Sequence, residues 1–127
     1  MIEKELFEFI KSKYLPALEK SNGQYDSFDC MCRSKNLYIE LKCRHTHYDE
    51  LLIEKSKHAR LIDEARQNQM LPIYINSTPK GVWAFNLDKV HITWQLKDNM
   101  PRTTEFENSE RIIKEIGFIS ISKGKRL

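Results

Sequence analysis

No apolar stretch in this 127-residue chain approaches the ~20 residues that a membrane-spanning helix requires, so the sequence gives a membrane role no support. The opening Met1-Ile2-Glu3-Lys4-Glu5 lacks the basic start and apolar run of a secretory signal, and the chain is expected to stay in the cytoplasm of the cell that makes it. Cysteine is scarce and odd in number. Three residues argue against a closed disulfide framework and fit a reducing compartment. Neither sign of charge dominates: the net +3 is a mild lean toward anionic partners. It falls short of the basic excess, with a pI above ~9, that marks many dedicated nucleic-acid binders. Internal repeats, low-complexity tracts and linker-like runs are missing. So are a Gly-rich phosphate loop, a nucleophile elbow and any Ser/His/Asp arrangement. What remains reads as one ordinary soluble domain over residues 1–127, 40% hydrophobic and 31% charged, long enough to bury a single core.

Residues 2–18 carry helical spacing at Ile2, Leu6, Ile10 and Tyr14, with Pro16 placed to kink or end the helix. Ser21-Asn22-Gly23 then breaks the chain. Residues 25–32 and 37–43 are short apolar runs joined by Arg33-Ser34-Lys35-Asn36, which reads as a β-hairpin. Helical spacing returns over residues 48–70, from Tyr48 and Leu52 to Ala59 and Ile62, and Pro72 is a stop signal. Residues 72–76, 81–87 and 90–96 read as further strands. A last helix is expected from a cap at Asn108 or Ser109 to Ile116, with Gly117 at its end. The order helix, hairpin, helix, strands, helix describes a mixed α/β layer protein, an α+β mixed sheet flanked by helices.

The informative segment is 29–42. Pairing the hairpin around its four-residue turn sets Cys32 against Leu37, Met31 against Tyr38 and Cys30 against Ile39, so Asp29 lies across from Glu40. Alternation along the strand points Lys42 the same way as Glu40. Opposite residues in an antiparallel pair have Cβ atoms ~5 Å apart, so two carboxylates and an ammonium group share one face. Two carboxylates that close repel unless a cation sits between them, and an oxygen-rich site suits Mg²⁺, with Mn²⁺ as a substitute. A lysine beside them can hold a phosphate, polarise water or offset charge at phosphorus.

With these residues the chain resembles the PD-(D/E)xK nuclease superfamily of restriction endonucleases, Holliday-junction resolvases and phage recombination nucleases. The resemblance rests on Phe28-Asp29 leading an apolar strand, then Ile39-Glu40-Leu41-Lys42, then a helix, then the strand Ile73-Tyr74-Ile75. It spans roughly residues 1–87 in order of elements, with three motif positions. It implies a restriction-endonuclease-like core and an Mg²⁺-dependent endonuclease acting on DNA. The catalytic residues would be Asp29, Glu40 and Lys42, with the metal on Asp29, Glu40 and the Leu41 carbonyl. A phage-type DNA-processing role follows from the resemblance alone. Phe28 stands where the literal motif has proline, and no clean run for the family's preceding strand is visible between Gly23 and Phe28. Asp26 is therefore a rival metal ligand, although alternation puts it on the face opposite Asp29.

Two further charged residues are aligned with apolar stripes: Glu3 with Leu6, Phe7 and Ile10, and Lys55 between Leu52 and Ala59. Charged side chains are rarely buried unpaired, and the family's extra helix residues near the metal supply a role for both. The plainer readings are a helix-dipole position for Glu3 and a snorkelling lysine at 55. Arg44, His45 and His47, just past Lys42, and Lys57 on the second helix are candidate DNA contacts. Arg60, Arg66 and the tail Lys123-Gly124-Lys125-Arg126 add positive charge of the kind surfaces carry routinely. Cys30, Cys32, Cys43, His45 and His47 resemble a zinc set. However, Cys30 faces Ile39, four residues and ~13 Å from Cys43, too far for one tetrahedral zinc. Cys30 and Cys32 read instead as small core residues. Trp83, Phe85 and Trp94 read as core or dimer surface. A domain this small has little surface for reading a long DNA sequence, so a homodimer or recognition by shape is expected. The alternatives are a non-catalytic module that binds nucleic acid or protein on a nuclease-like fold, and a structural protein whose carboxylate cluster is accidental.

Overall fold

The computed structural model describes residues 1–23, 27–101 and 111–127; Asp26 and the helix cap expected at Asn108 or Ser109 lie outside them. The first element, α1 (Glu3–Lys13), turns Leu6, Phe7 and Ile10 inward. The Ile2 backbone N–H donates to Glu5 Oε1 at 2.9 Å, which satisfies one of the donors a helix start leaves open. The helix stops well short of residue 18. Pro16 lacks a backbone donor and disfavours the helical region for the residue before it.

Six strands build the central mixed sheet. They are β1 (Glu19–Lys20), β2 (Cys30–Cys32), β3 (Leu37–Cys43), β5 (Leu71–Thr78), β6 (Gly81–Asn86) and β9 (Lys125–Arg126), in the spatial order β1-β2-β3-β5-β6-β9. The hairpin β2–β3 has the expected register, Cys30↔Ile39, Met31↔Tyr38 and Cys32↔Leu37. Its turn is one 3-10 turn, Arg33–Lys35, closed by Asn36 at φ 58°, a left-handed conformation that asparagine tolerates better than most side chains. The strand missing before Asp29 in the sequence reading is β1, two residues long and paired Glu19↔Met31 and Lys20↔Cys30. Such a short strand leaves no periodicity to read.

β3 and β5 are parallel, so the chain between them must cross over one face of the sheet. It does so through β4 (Glu50–Glu54) and α2 (Lys55–Gln67). β4 joins a second sheet of order β4-β8-β7, with β7 (Gln95–Pro101) and β8 (Arg111–Ser120), all antiparallel. Three layers result. α1 packs on one face with Cys30, Cys32, Ile39, Leu41 and Ile75. On the other face Leu61 and Ile62 of α2 and Leu51, Ile53 and Ile119 of the second sheet pack with Met31, Tyr74, Trp83 and Phe85. None of the helices among the described residues is long and apolar enough to cross a membrane.

Three expected elements differ. The helix of residues 48–70 is shortened at its start, because Leu51 and Ile53 alternate inward with Leu52 and Glu54 as β4. The strand of residues 90–96 begins only at Gln95. The final helix is, over its described part, β8. Ile112, Ile113 and Ile116 fit helical spacing as well as alternation, and pairing with β4 from Glu54↔Ile116 to Glu50↔Ser120 settles the matter in favour of the strand. Gly117, expected to end a helix, lies inside that strand. A Cβ built there would overlap the Ile92 methyl Cγ2 and come within 3.0 Å of the Trp94 ring, so glycine marks a close approach of chain segments. Gly117→Ala is expected to destabilise the fold by about 1–3 kcal/mol, the usual cost of overpacking. A urea titration against the parent chain measures it.

Candidate active site

Asp29 sits one residue before β2, and three backbone bonds fix it. Its N–H donates to the Ile39 carbonyl at 2.9 Å, its carbonyl accepts from Ser21 N–H at 3.0 Å, and its Oδ2 accepts from the Leu41 N–H at 2.7 Å. The carboxylate is thereby locked against the segment that carries Glu40 and Lys42. Both of these point to the α2 face, with Tyr74 beside Glu40 in the parallel register. Ser27, Asp29, Glu40, Lys57 and Arg60 line one cleft, and Glu3, Lys4, Lys20, Asp29 and Leu41 line another on the α1 side. Asp29 is therefore reached from both.

The electrostatics follow from this crowding. Burial pushes the Glu40 carboxyl up from 4.5 to about 8, the Asp29 carboxylate adds to the rise, and the Lys57 ammonium partly offsets it. Glu3, at the rim, has its carboxyl raised by partial desolvation and then by Asp29. Lys42 is shifted the opposite way: burial lowers its ammonium, and Lys57 and Arg44 lower it further. Between pH 4.5 and about 8 the folded chain keeps a proton on Glu40 that the unfolded chain has released. Stability therefore falls as pH rises through that window.

The structure brings Asp29 and Glu40 together, with Glu3 beside Asp29 and Lys42 on the other side of Glu40. Lys57, read from the sequence as a DNA contact, stands in the carboxylate cleft. Lys55 does not: as the first residue of α2 it bonds Glu115 Oε2 at 3.1 Å, in a pair whose side chains are 45% and 47% exposed. The apolar stripe that placed Lys55 inward assumed that Leu52 and Ala59 were on one helix, whereas Leu52 is in β4 and Ala59 is exposed. With α2 starting at 55, Lys57 lies one turn before buried Leu61 and, although exposed, borders the carboxylate cleft. That is the signal by which it is found. Arg44 is held between Asn76 Oδ1 (3.0 Å), the Tyr74 hydroxyl (3.4 Å) and the Leu52 carbonyl, beside Lys42. His45 is exposed just past it. His47 lies between Thr78 Oγ1 (2.8 Å) and Asp49 (3.1 Å), against the Trp83 ring, and is tied to the sheet. Cys30 and Cys32 are buried under α1, on the face away from the carboxylates.

The donor set fits a hard cation. Two carboxylates share a cleft in which both cannot be charged without a counter-charge, and the oxygens of Asp29, Glu40 and the Leu41 carbonyl suit Mg²⁺ or Mn²⁺. Among the described residues no three His, Cys, Asp or Glu side chains close around a single point. Without divalent metal, Glu40→Gln is expected to be more stable than the parent at pH 9 by about 1–3 kcal/mol. The gap should close as pH falls toward 4.5, and denaturant titrations across that range measure it.

No protein-family model and no curated protein matches the chain. Among solved structures, the Holliday junction resolvase Hjc of Archaeoglobus fulgidus, an archaeal hyperthermophile, shares the architecture. Its TM-score is 0.63 at 17% sequence identity, over 98% of this chain and 88% of that one. The restriction-endonuclease-like core expected from the sequence is thus the fold the chain has.

Proposed function

We propose that this chain is a divalent-metal-dependent endonuclease that hydrolyses phosphodiester bonds of DNA. The observation that carries the reading is the meeting of Asp29, Glu40 and Lys57 in one cleft, with Lys42 next to Glu40 and Lys57 in the adjoining cavity. The fold shared with a Holliday junction resolvase supports it.

Asp29 and Glu40, with the Leu41 carbonyl, are the residues that would hold Mg²⁺ or Mn²⁺, which supplies Lewis acidity at phosphorus and a more acidic water. The protein's own groups do the rest. The Leu41 N–H holds the Asp29 carboxylate in place before any substrate arrives, so little reorganisation is needed during reaction. Lys42, with its ammonium weakened by burial and by Lys57, is placed to orient the attacking water and exchange a proton with it. Lys57 offsets the charge that grows on the phosphoryl oxygens as the sugar oxygen departs. Arg44, locked beside Lys42, and exposed His45 extend the cationic edge toward the strand. The function lies in the cytoplasm, and a second copy of the chain widens a recognition surface that is small in one copy.

The test is cleavage of supercoiled, linear, single-stranded and branched DNA with Mg²⁺ or Mn²⁺. Glu40→Ala and Lys42→Ala are expected to lose on the order of 10²-fold or more in rate, as removal of a preorganised charge at a reacting centre does. Lys57→Ala should lose on the order of tenfold. Lys55→Ala should cut like the parent, since an exposed ion pair contributes about 0–1 kcal/mol to stability and nothing to the cleft. No cutting of any substrate and no divalent-metal binding by calorimetry would sink the enzyme reading and leave a non-catalytic binding module.

A further inference from the structure

Glu40, Lys42 and Lys57 also line one side of a cavity of about 200 Å³ to which Asp29 does not contribute, and whose far side has no part in the hydrolytic step. Leu52, Ile53, Leu61, Leu87 and Met100 form that apolar far side, and Arg44, Glu54 and His58 supply polar edges. Its size and lining limit what can occupy it. A phosphate is served only at the side of Lys42 and Lys57, because the apolar side would strip its hydration without replacing it. It is smaller than the ~300–1,000 Å³ of pockets that take whole organic ligands. A dry cavity of ~150 Å³ is enough to admit one aromatic ring, so this one has the capacity of a single flat ring system. Arg44 adds a second observation. Its guanidinium is pinned by Asn76, Tyr74 and the Leu52 carbonyl, and an immobilised guanidinium plane is a stacking surface for a base.

We infer that this cavity receives one unstacked nucleobase next to a phosphate held by Lys42 and Lys57. The inference rests on the nuclease reading and narrows its substrate class. A base in continuous duplex cannot reach the cavity while it remains stacked. Taking it out costs least where it is already unpaired. The preferred substrate is therefore DNA with an unpaired or mispaired nucleotide at the position of attack, and the cavity makes selection depend on the strand's local structure, with no run of base sequence read in a groove.

The experiment uses duplex DNA carrying a single bulged 2-aminopurine, titrated with the full chain in the absence of divalent metal, so that nothing is cut. Emission is expected to rise severalfold at saturation as the base leaves its neighbours, and fully paired DNA should bind more weakly. Leu52→Phe, which extends a partly exposed wall into the cavity, is expected to abolish most of the rise and weaken binding of the bulged duplex about tenfold, the size of one lost base-stacking contact. Met100→Phe, on the partly exposed end of β7, provides the same test if Leu52→Phe does not fold. Saturable binding with unchanged emission overturns the inference, as does a filled-cavity variant that behaves like the parent. Either result leaves the nuclease reading to its own cleavage assay. Failure to bind the bulged duplex also overturns the inference, and the nuclease reading then stands or falls on cleavage with Mg²⁺ or Mn²⁺.

Discussion

The bond from the Leu41 N–H to the Asp29 carboxylate, 2.7 Å long, joins the two halves of the site across the β2–β3 hairpin. The rest of the site depends on the register it belongs to. With Cys30 opposite Ile39, Asp29 and Glu40 project to the same side, and slipping the pairing by one residue would send them to opposite faces. The back of the hairpin prevents that slip. Cys30, Cys32, Ile39 and Leu41 are buried against Leu6, Phe7 and Ile10 of α1, so a slip would expose that apolar set and bury the charged one. α1 thus holds apart the two chemistries of one strand: small apolar residues behind, carboxylates and an ammonium group in front.

The front of the sheet is closed by the crossover, and its placement depends on contacts far apart in sequence. Lys114 Nζ meets Glu54 Oε1 at 2.9 Å, both side chains only 15% exposed. Glu54 is the residue just before α2, so the pair ties β8 to the start of the helix that delivers Lys57. A largely buried ion pair contributes little net stability, since desolvation offsets most of the attraction. Breaking it would leave a charge without its partner, which makes it a device for fixing position. The cleft beside Glu40 and the apolar cavity beside Lys42 both take one wall from α2 and so share its alignment.

A likeness of fold at 17% identity carries no chemistry by itself. What gives this chain a nuclease reading is that its charged residues sit against the fold's natural burial pattern. Glu40 and Lys42 are on a central strand, beside a parallel partner, where apolar side chains are the norm. Glu40 is pushed up to about 8, and Lys42 is pushed down. Strained protonation of that kind is costly in a merely structural strand and useful where a cation and a phosphate are to be bound.

The sequence by itself determined the hairpin, its register and the meeting of Asp29 and Glu40, with Lys42 two residues along on the face of Glu40. These depend on four turn residues and strict alternation, which are local and leave one solution. It also placed Cys30 and Cys32 in the core, by the same alternation. Only the tertiary structure decided that residues 50–54 and 111–120 are strands. Their apolar residues fit a helical or an extended period equally, and the choice was made by pairing between segments about sixty residues apart. That choice moved the start of α2, and with it the place beside the carboxylates passed from Lys55 to Lys57. The apolar cavity beside Lys42 was equally out of reach, because its walls come from β3, β4, α2, β5 and β7, and no spacing along the chain encodes the volume between them.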